Sequence, residues 1–188
     1  AALKSCQEQG VLLIVDEVQT GNGRTGKLFA FEHFGLQPDI FTTAKGLGNG
    51  LPVGAMLVKN CYADCFSAGK HGSTFGGNPL AMASAKAVLT ELTSDDFLAD
   101  VTEKADFLKA QLKEKLASKP TVKAIRNLGL MVGIQLTDGT QLQAVLSEAR
   151  AQGLLVLSAG KDVVRLLPPL VMTKAQLADG VAILEGIL

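Results

Sequence analysis

The chain has 188 residues, 18 basic against 18 acidic side chains and 47% hydrophobic residues, enough to build a real core and too apolar to be disordered. A net charge of zero gives no electrostatic reason to expect nucleic acid or an anionic membrane as partner. No apolar run reaches the ~18 residues of a membrane span, and no secretory leader opens the sequence.

Ala1 stands inside what reads as a helix ending. Val11-Leu12-Leu13-Ile14-Val15 then forms a continuous apolar, β-branched run, the pattern of a parallel strand covered on both faces. It ends in Asp16-Glu17, carboxylates presented at the carboxyl end of a strand, where open α/β sheets bind ligands. A carboxylate directly after buried aliphatics needs a partner. A metal, a cationic ligand atom or the N-cap of the next segment all satisfy that need, and the dipeptide alone does not choose. Gly21-Asn22-Gly23-Arg24-Thr25-Gly26-Lys27 satisfies the opening of a phosphate-binding P-loop, but Leu28 stands where that loop places Ser or Thr, and no long helix follows. A nucleotide hydrolase is therefore disfavoured.

After a Pro38-Asp39 turn, Ile40-Phe41-Thr42-Thr43-Ala44 is the second strand, closed by Lys45. The Gly46-Leu47-Gly48-Asn49-Gly50 run that follows lacks dinucleotide-binding spacing. A lysine there is either a surface residue or, enclosed by apolar groups, a nucleophile or base. A third strand spans 54–58. Glycine is about one residue in nine, against a usual ~7%, and these loops hold much of the excess. The three cysteines, Cys6, Cys61 and Cys65, are too few and too irregular for a disulfide framework. Although the spacing of Cys61 and Cys65 would put both on one helical face, the expectation is reduced structural thiols in a cytosolic protein, with no metal site.

His71-Gly72-Ser73-Thr74-Phe75-Gly76-Gly77-Asn78-Pro79 gathers hydroxyls and glycines before a helix, as either a phosphate site or a simple cap. The helix itself is expected to bury Leu80, Met82, Ala83, Ala87, Val88 and Leu92. Ser94-Asp95-Asp96 starts another, with Phe97, Val101, Ala105, Leu108 and Leu112 as its stripe. One strand around 124–136, a helix near 141–152 and short strands at 154–157 and 163–167 follow. Thr173 and Gln176 form a capping-box signature for the last helix, striped by Leu177, Val181, Leu184 and Leu188. Arg165 interrupts its apolar strand, reading either as a carboxylate or phosphate ligand or as an exposed strand position. A boundary near residue 93 is expected to separate an α/β domain (1–92) from a smaller α+β domain (93–188).

Taken together, Leu13-Ile14-Val15-Asp16-Glu17-Val18-Gln19-Thr20-Gly21, Gly23-Arg24-Thr25-Gly26, Thr43-Ala44-Lys45-Gly46-Leu47-Gly48, Pro52-Val53-Gly54-Ala55-Met56, residues 71–80 and Val164-Arg165-Leu166-Leu167-Pro168-Pro169-Leu170 resemble the class III family of pyridoxal-phosphate-dependent aminotransferases. The resemblance implies the C-terminal part of a fold-type I transferase, with an incomplete, mostly parallel large-domain sheet followed by a small α+β domain. It implies pyridoxal 5'-phosphate as cofactor, bound covalently by Lys45, which also carries the transferred proton. Asp16 would pair with the pyridine nitrogen, Val18 pack on the ring and Gln19 bond the phenolic oxygen. Thr74 would contact the phosphate of a neighbouring subunit, making a homodimer with shared sites. Ser73 would lie near the substrate, and Arg165 would bind the α-carboxylate of glutamate or 2-oxoglutarate. The implied reaction takes a terminal amine from N2-acetylornithine or a relative such as succinylornithine, ornithine or 4-aminobutyrate, yielding a semialdehyde and glutamate in the cytoplasm. The family's phosphate-binding Ser-Gly loop and ring-stacking aromatic belong upstream of this stretch. The 188 residues are therefore expected to be inactive alone, as a non-catalytic folded fragment would also be.

Overall fold

The computed structural model describes residues 2–188, so Ala1, read above as lying within a helix, falls outside the described residues. The chain divides into two compact units, the first running to Leu98 and the second covering Ala99–Leu188.

The first unit opens with α1 (Ala2–Gln9) and holds a three-stranded sheet of β1 (Ile14–Asp16), β2 (Ile40–Thr43) and β3 (Ala55–Val58), in that order. β1 and β2 run parallel, with Asp16 opposite Thr42, whereas β2 and β3 run antiparallel. The sheet is thus mixed rather than mostly parallel. The link from β2 to β3 contains only a 3-10 turn, Lys45–Gly48, and a parallel return would need a crossover of a dozen or more residues. Asp39 staples the starts of β1 and β2 to the end of β3, accepting from the Leu13 amide at 2.9 Å and from Lys59 Nζ at 2.8 Å. Phe29, Phe31 and Phe41 form an aromatic cluster, with Phe41 meeting the other two edge-on at 4.7 and 5.1 Å between centroids.

α2 (Pro79–Leu92) starts as the sequence predicts, with the Asn78 side chain accepting from the Ala81 amide and proline at the first turn. Its buried side differs from the expected one. Ala81, Ala85 and Leu92 are buried, while Leu80 is 69% exposed and Met82 39%. The helix packs against the Lys45–Gly48 turn, and Ser84 Oγ donates to the Gly48 carbonyl at 2.8 Å. So close an approach to backbone selects small side chains over leucine and methionine. Cys61 and Cys65 lie in a 3-10 helix, Asn60–Phe66, where residues three apart eclipse. The four-residue spacing therefore does not align them on one face.

The second unit is a helix-backed antiparallel sheet in the order β4 (Val122–Leu128), β5 (Met131–Leu136), β7 (Val163–Leu166), β6 (Leu157–Ala159). Residues 124–136, read as one strand, are a hairpin. Gly129, at φ +56, opens its two-residue turn between Leu128 and Met131, and the twist of paired strands favours such a positive-φ residue there. Val132, Ile134, Leu136, Val164 and Leu166 point into a core shared with Val101, Ala105, Leu108, Leu112 and Leu116 of α3 (Phe97–Leu116). α4 (Leu142–Ala151) and α5 (Lys174–Ile187) complete the unit. The Thr173–Gln176 capping box forms as expected, and Leu177, Val181 and Leu184 are buried.

Candidate active site

At the carboxyl edge of the first sheet, Asp16 and Glu17 divide the roles that their sequence left open. Glu17 turns inward and is 1% exposed. Its carboxylate accepts from Thr20 Oγ1 and, at 2.9 Å, from the Phe31 amide. This is the capping role, and it fastens the glycine-rich loop to the end of β1. Asp16 turns outward and is exposed. Its Oδ1 accepts from the Val18 amide at 2.9 Å and from Thr42 Oγ1 at 3.2 Å, which fixes the carboxylate while leaving Oδ2 for a ligand. Val18 is half-buried and Gln19 exposed on the same turn.

Lys45 follows β2 after one residue, Ala44, and begins the 3-10 turn at φ +48, a left-handed conformation that side-chain-bearing residues seldom adopt. The turn is closed by bonds from the Leu47 amide to the Ala44 carbonyl at 3.0 Å and from the Asn49 amide to the Gly46 carbonyl at 3.2 Å. The Lys45 side chain is exposed. Since Asp16 pairs in register with Thr42, Lys45 stands three residues beyond that pair, just past the carboxyl end of β2. The acid and the amine therefore leave the sheet at one edge.

The loop of residues 21–28 runs over this edge. His33 Nε2 lies 3.0 Å from the Thr25 carbonyl and 3.1 Å from Thr25 Oγ1, while burial lowers the Arg24 guanidinium from its ordinary value. A five-residue 3-10 helix, Ala30–Phe34, follows, not the long helix that a P-loop feeds. Ser73 and Thr74 are exposed in the loop preceding α2, and Ser73 Oγ accepts from the Gly76 amide at 2.9 Å.

Arg165 belongs to the second unit. It sits half-buried on β7 between Val164 and Leu166, which face the core, so its own side chain takes the opposite face of the sheet. Its cross-strand neighbours are Gly133 and Leu157, and the Val163 side chain comes within 3.2 Å of where a Cβ on Gly133 would lie. Lys104, only 9% exposed, reaches the Leu170 carbonyl at 3.1 Å and Asp100 at 2.5 Å, tying down the chain beyond Arg165. Asp16, Val18, Gln19 and Lys45 thus share one sheet edge, Ser73 and Thr74 occupy a loop of the same unit, and Arg165 is presented by the other. No cluster of three or more metal-ligating side chains forms among the described residues, and no helix among them is long and apolar enough to cross a membrane. Asn22 carries a structural role at this edge that motif reading missed. An asparagine among glycines, at a place that needs positive φ, was the available signal.

The aminotransferase class-III family model matches residues 1–188. The chain is 67% identical over 187 residues to an acetylornithine aminotransferase of Lactococcus lactis, covering all of this chain and 49% of that protein. Among solved structures, the ornithine aminotransferase of Plasmodium yoelii superposes with a TM-score of 0.93 at 30% identity, over 99% of this chain and 50% of that one. An acetylornithine aminotransferase of Elizabethkingia anophelis gives 0.91 at 36% identity, over 98% and 47%. The chain spans about half the length of the curated relatives it matches. With an acid and a lysine at one sheet edge and the family match running the whole length, the chain belongs to the class-III aminotransferases.

Proposed function

We propose that this chain supplies the lysine, the acid and the carboxylate-binding arginine of an aminotransferase that moves a terminal amino group from N2-acetylornithine, or a close relative, to 2-oxoglutarate. Class III aminotransferases use pyridoxal phosphate, which when bound supplies an electron sink for the carbanion left at the substrate carbon. The residues present suit that group. An exposed amine and an exposed carboxylate face the same edge, and one carboxylate oxygen is already held by Val18 and Thr42, leaving the other for a protonated ring nitrogen. In this reading Lys45 holds the cofactor and moves the proton at its Nζ, and Asp16 keeps the ring nitrogen charged. Val18 would lie against the ring, Gln19 would donate to its phenolic oxygen and Thr74 would contact phosphate across a homodimer interface. Ser73 lies near substrate, and Arg165 binds the α-carboxylate through its forked donors. Residues 1–92 are then part of the large cofactor-binding domain of a fold-type I enzyme and 93–188 its small domain, acting in the cytoplasm.

The shared edge of Asp16 and Lys45 on the parallel pair β1–β2 carries this reading. In a full-length enzyme containing this sequence, Lys45→Ala is expected to abolish the long-wavelength absorbance of lysine-bound cofactor and to lower transamination by roughly 10²–10⁴-fold or more. A retained band refutes Lys45 as the anchor. Comparing acetylornithine, ornithine and 4-aminobutyrate as donors tests the substrate, and a preference for either of the last two overturns the acetylornithine assignment.

A further inference from the structure

The left-handed backbone at Lys45 is held from outside its own turn. Asn22, in the glycine-rich loop after β1, is 7% exposed and itself sits at φ +55. Its Nδ2 donates to the Ala44 carbonyl at 3.0 Å and to Thr43 Oγ1 at 2.9 Å. On the other side of the lysine, a Cβ built on Gly46 would lie 3.4 Å from the Asn22 Cβ, so the asparagine packs against that residue's backbone as well. One side chain therefore grips the residues before and after Lys45.

The grip has a cost. A carbonyl can only accept, so the Ala44 bond fixes which end of the amide faces it, and Asn22 Oδ1 is left buried without a hydrogen-bond partner. An orphaned buried acceptor and a left-handed backbone are both unfavourable, and both persist where the surroundings hold a functional group in place.

We propose that Asn22 is a positioning residue for Lys45, its amide fixing the turn from which the lysine amine projects. This rests on the reading of Lys45 as the cofactor anchor. The test uses the full-length enzyme and Asn22→Gly, which tolerates the same φ while removing the amide, with Lys45→Ala in parallel. The absorbance of lysine-bound cofactor is titrated against pH, and kcat and KM are measured separately. A residue that only stabilises the fold lowers the melting temperature and leaves these readouts in place. For a positioning residue, Asn22→Gly keeps the band but moves its titration midpoint by roughly half a unit or more. It also lowers kcat about tenfold or more with KM within about twofold. A midpoint and kcat matching wild type in Asn22→Gly overturn the proposal. Should that variant fail to fold, Asn22→Ser, which cannot reach the Ala44 carbonyl, is read by the same two criteria. Absence of the band in wild type, or its survival in Lys45→Ala, overturns the anchor reading instead and takes this proposal with it.

Discussion

Single residues in the first unit show how little of a charged side chain's role is written in its identity. Asp16 and Glu17 are adjacent carboxylates, yet one is a buried tether for a loop and the other an exposed, half-satisfied acid. Asp39 is a third case. Its hydrogen bond from Lys59, and then that from the Leu13 amide, hold its carboxyl below the ordinary value, and the same bond to Asp39 raises Lys59 above its own. A lowered acid stabilises the fold above its unfolded value, about 3.9, and loses that contribution as pH falls through the folded one. A raised lysine stabilises below about 10.4 and loses its contribution as pH rises through the folded value. Asp39→Asn is therefore expected to be less stable than wild type at neutral pH, and the gap should narrow at both ends, below about pH 4 and above about pH 10. Denaturant melts across that range would show it, and a gap of constant size would remove the pair from the account. That Asp16 and Lys45 leave the sheet at the same edge was legible in the sequence, because each closes an apolar run before glycines. The separate fates of Asp16 and Glu17 were not, since they depend on where Thr20 and the Phe31 amide come to lie.

Elements were legible where a cap or a strict period marked them. Asn78-Pro79 and Thr173 with Gln176 announced the starts of α2 and α5, and both side chains make the expected bonds. Thr173→Ala, which removes the acceptor for the Gln176 amide, should cost the second unit about 1 kcal/mol in a chemical melt. An unchanged midpoint would mean that solvent replaces the cap. The buried side of α2 was misjudged because hydrophobicity ranks leucine above alanine, whereas a helix lying on a backbone turn needs alanine. Ala85→Leu should accordingly overpack that contact and destabilise the first unit by about 1–3 kcal/mol, measurable by thermal unfolding, whereas a neutral result would show slack at the interface. The β4–β5 hairpin was missed for a different reason. Its turn, Gly129-Leu130, carries none of the polar residues that usually announce a reversal, and both flanking strands are rich in apolar residues.

Over the whole chain the two units are built to different standards of closure. The second buries Leu112, Leu116, Leu130 and Ile134 to 0% exposure, and each such side chain contributes on the order of 2 kcal/mol. In the first, β1 has three residues and lies at the edge of its sheet, and Ile14, Met56 and Leu57 are 59%, 49% and 43% exposed. Hydrogen exchange on the 188-residue chain should find its slowest amides in β5, β7 and α3 and faster exchange throughout β1 and β3. Equal protection in both units would contradict this contrast. The α/β class and the order of the motifs could be read from local patterns. The mixed sheet could not, because strand direction is decided by the connection between strands, and the β2–β3 link is taken up by the turn that carries Lys45.

That turn gives α2 a mechanical role. Its alanine-lined flank and Ser84 lock the helix onto the Lys45–Gly48 turn, and its first turn is capped by Asn78, where the loop bearing Ser73 and Thr74 ends. The helix thereby sets a fixed spacing between the hydroxyl loop at its capped start and the turn that carries Lys45.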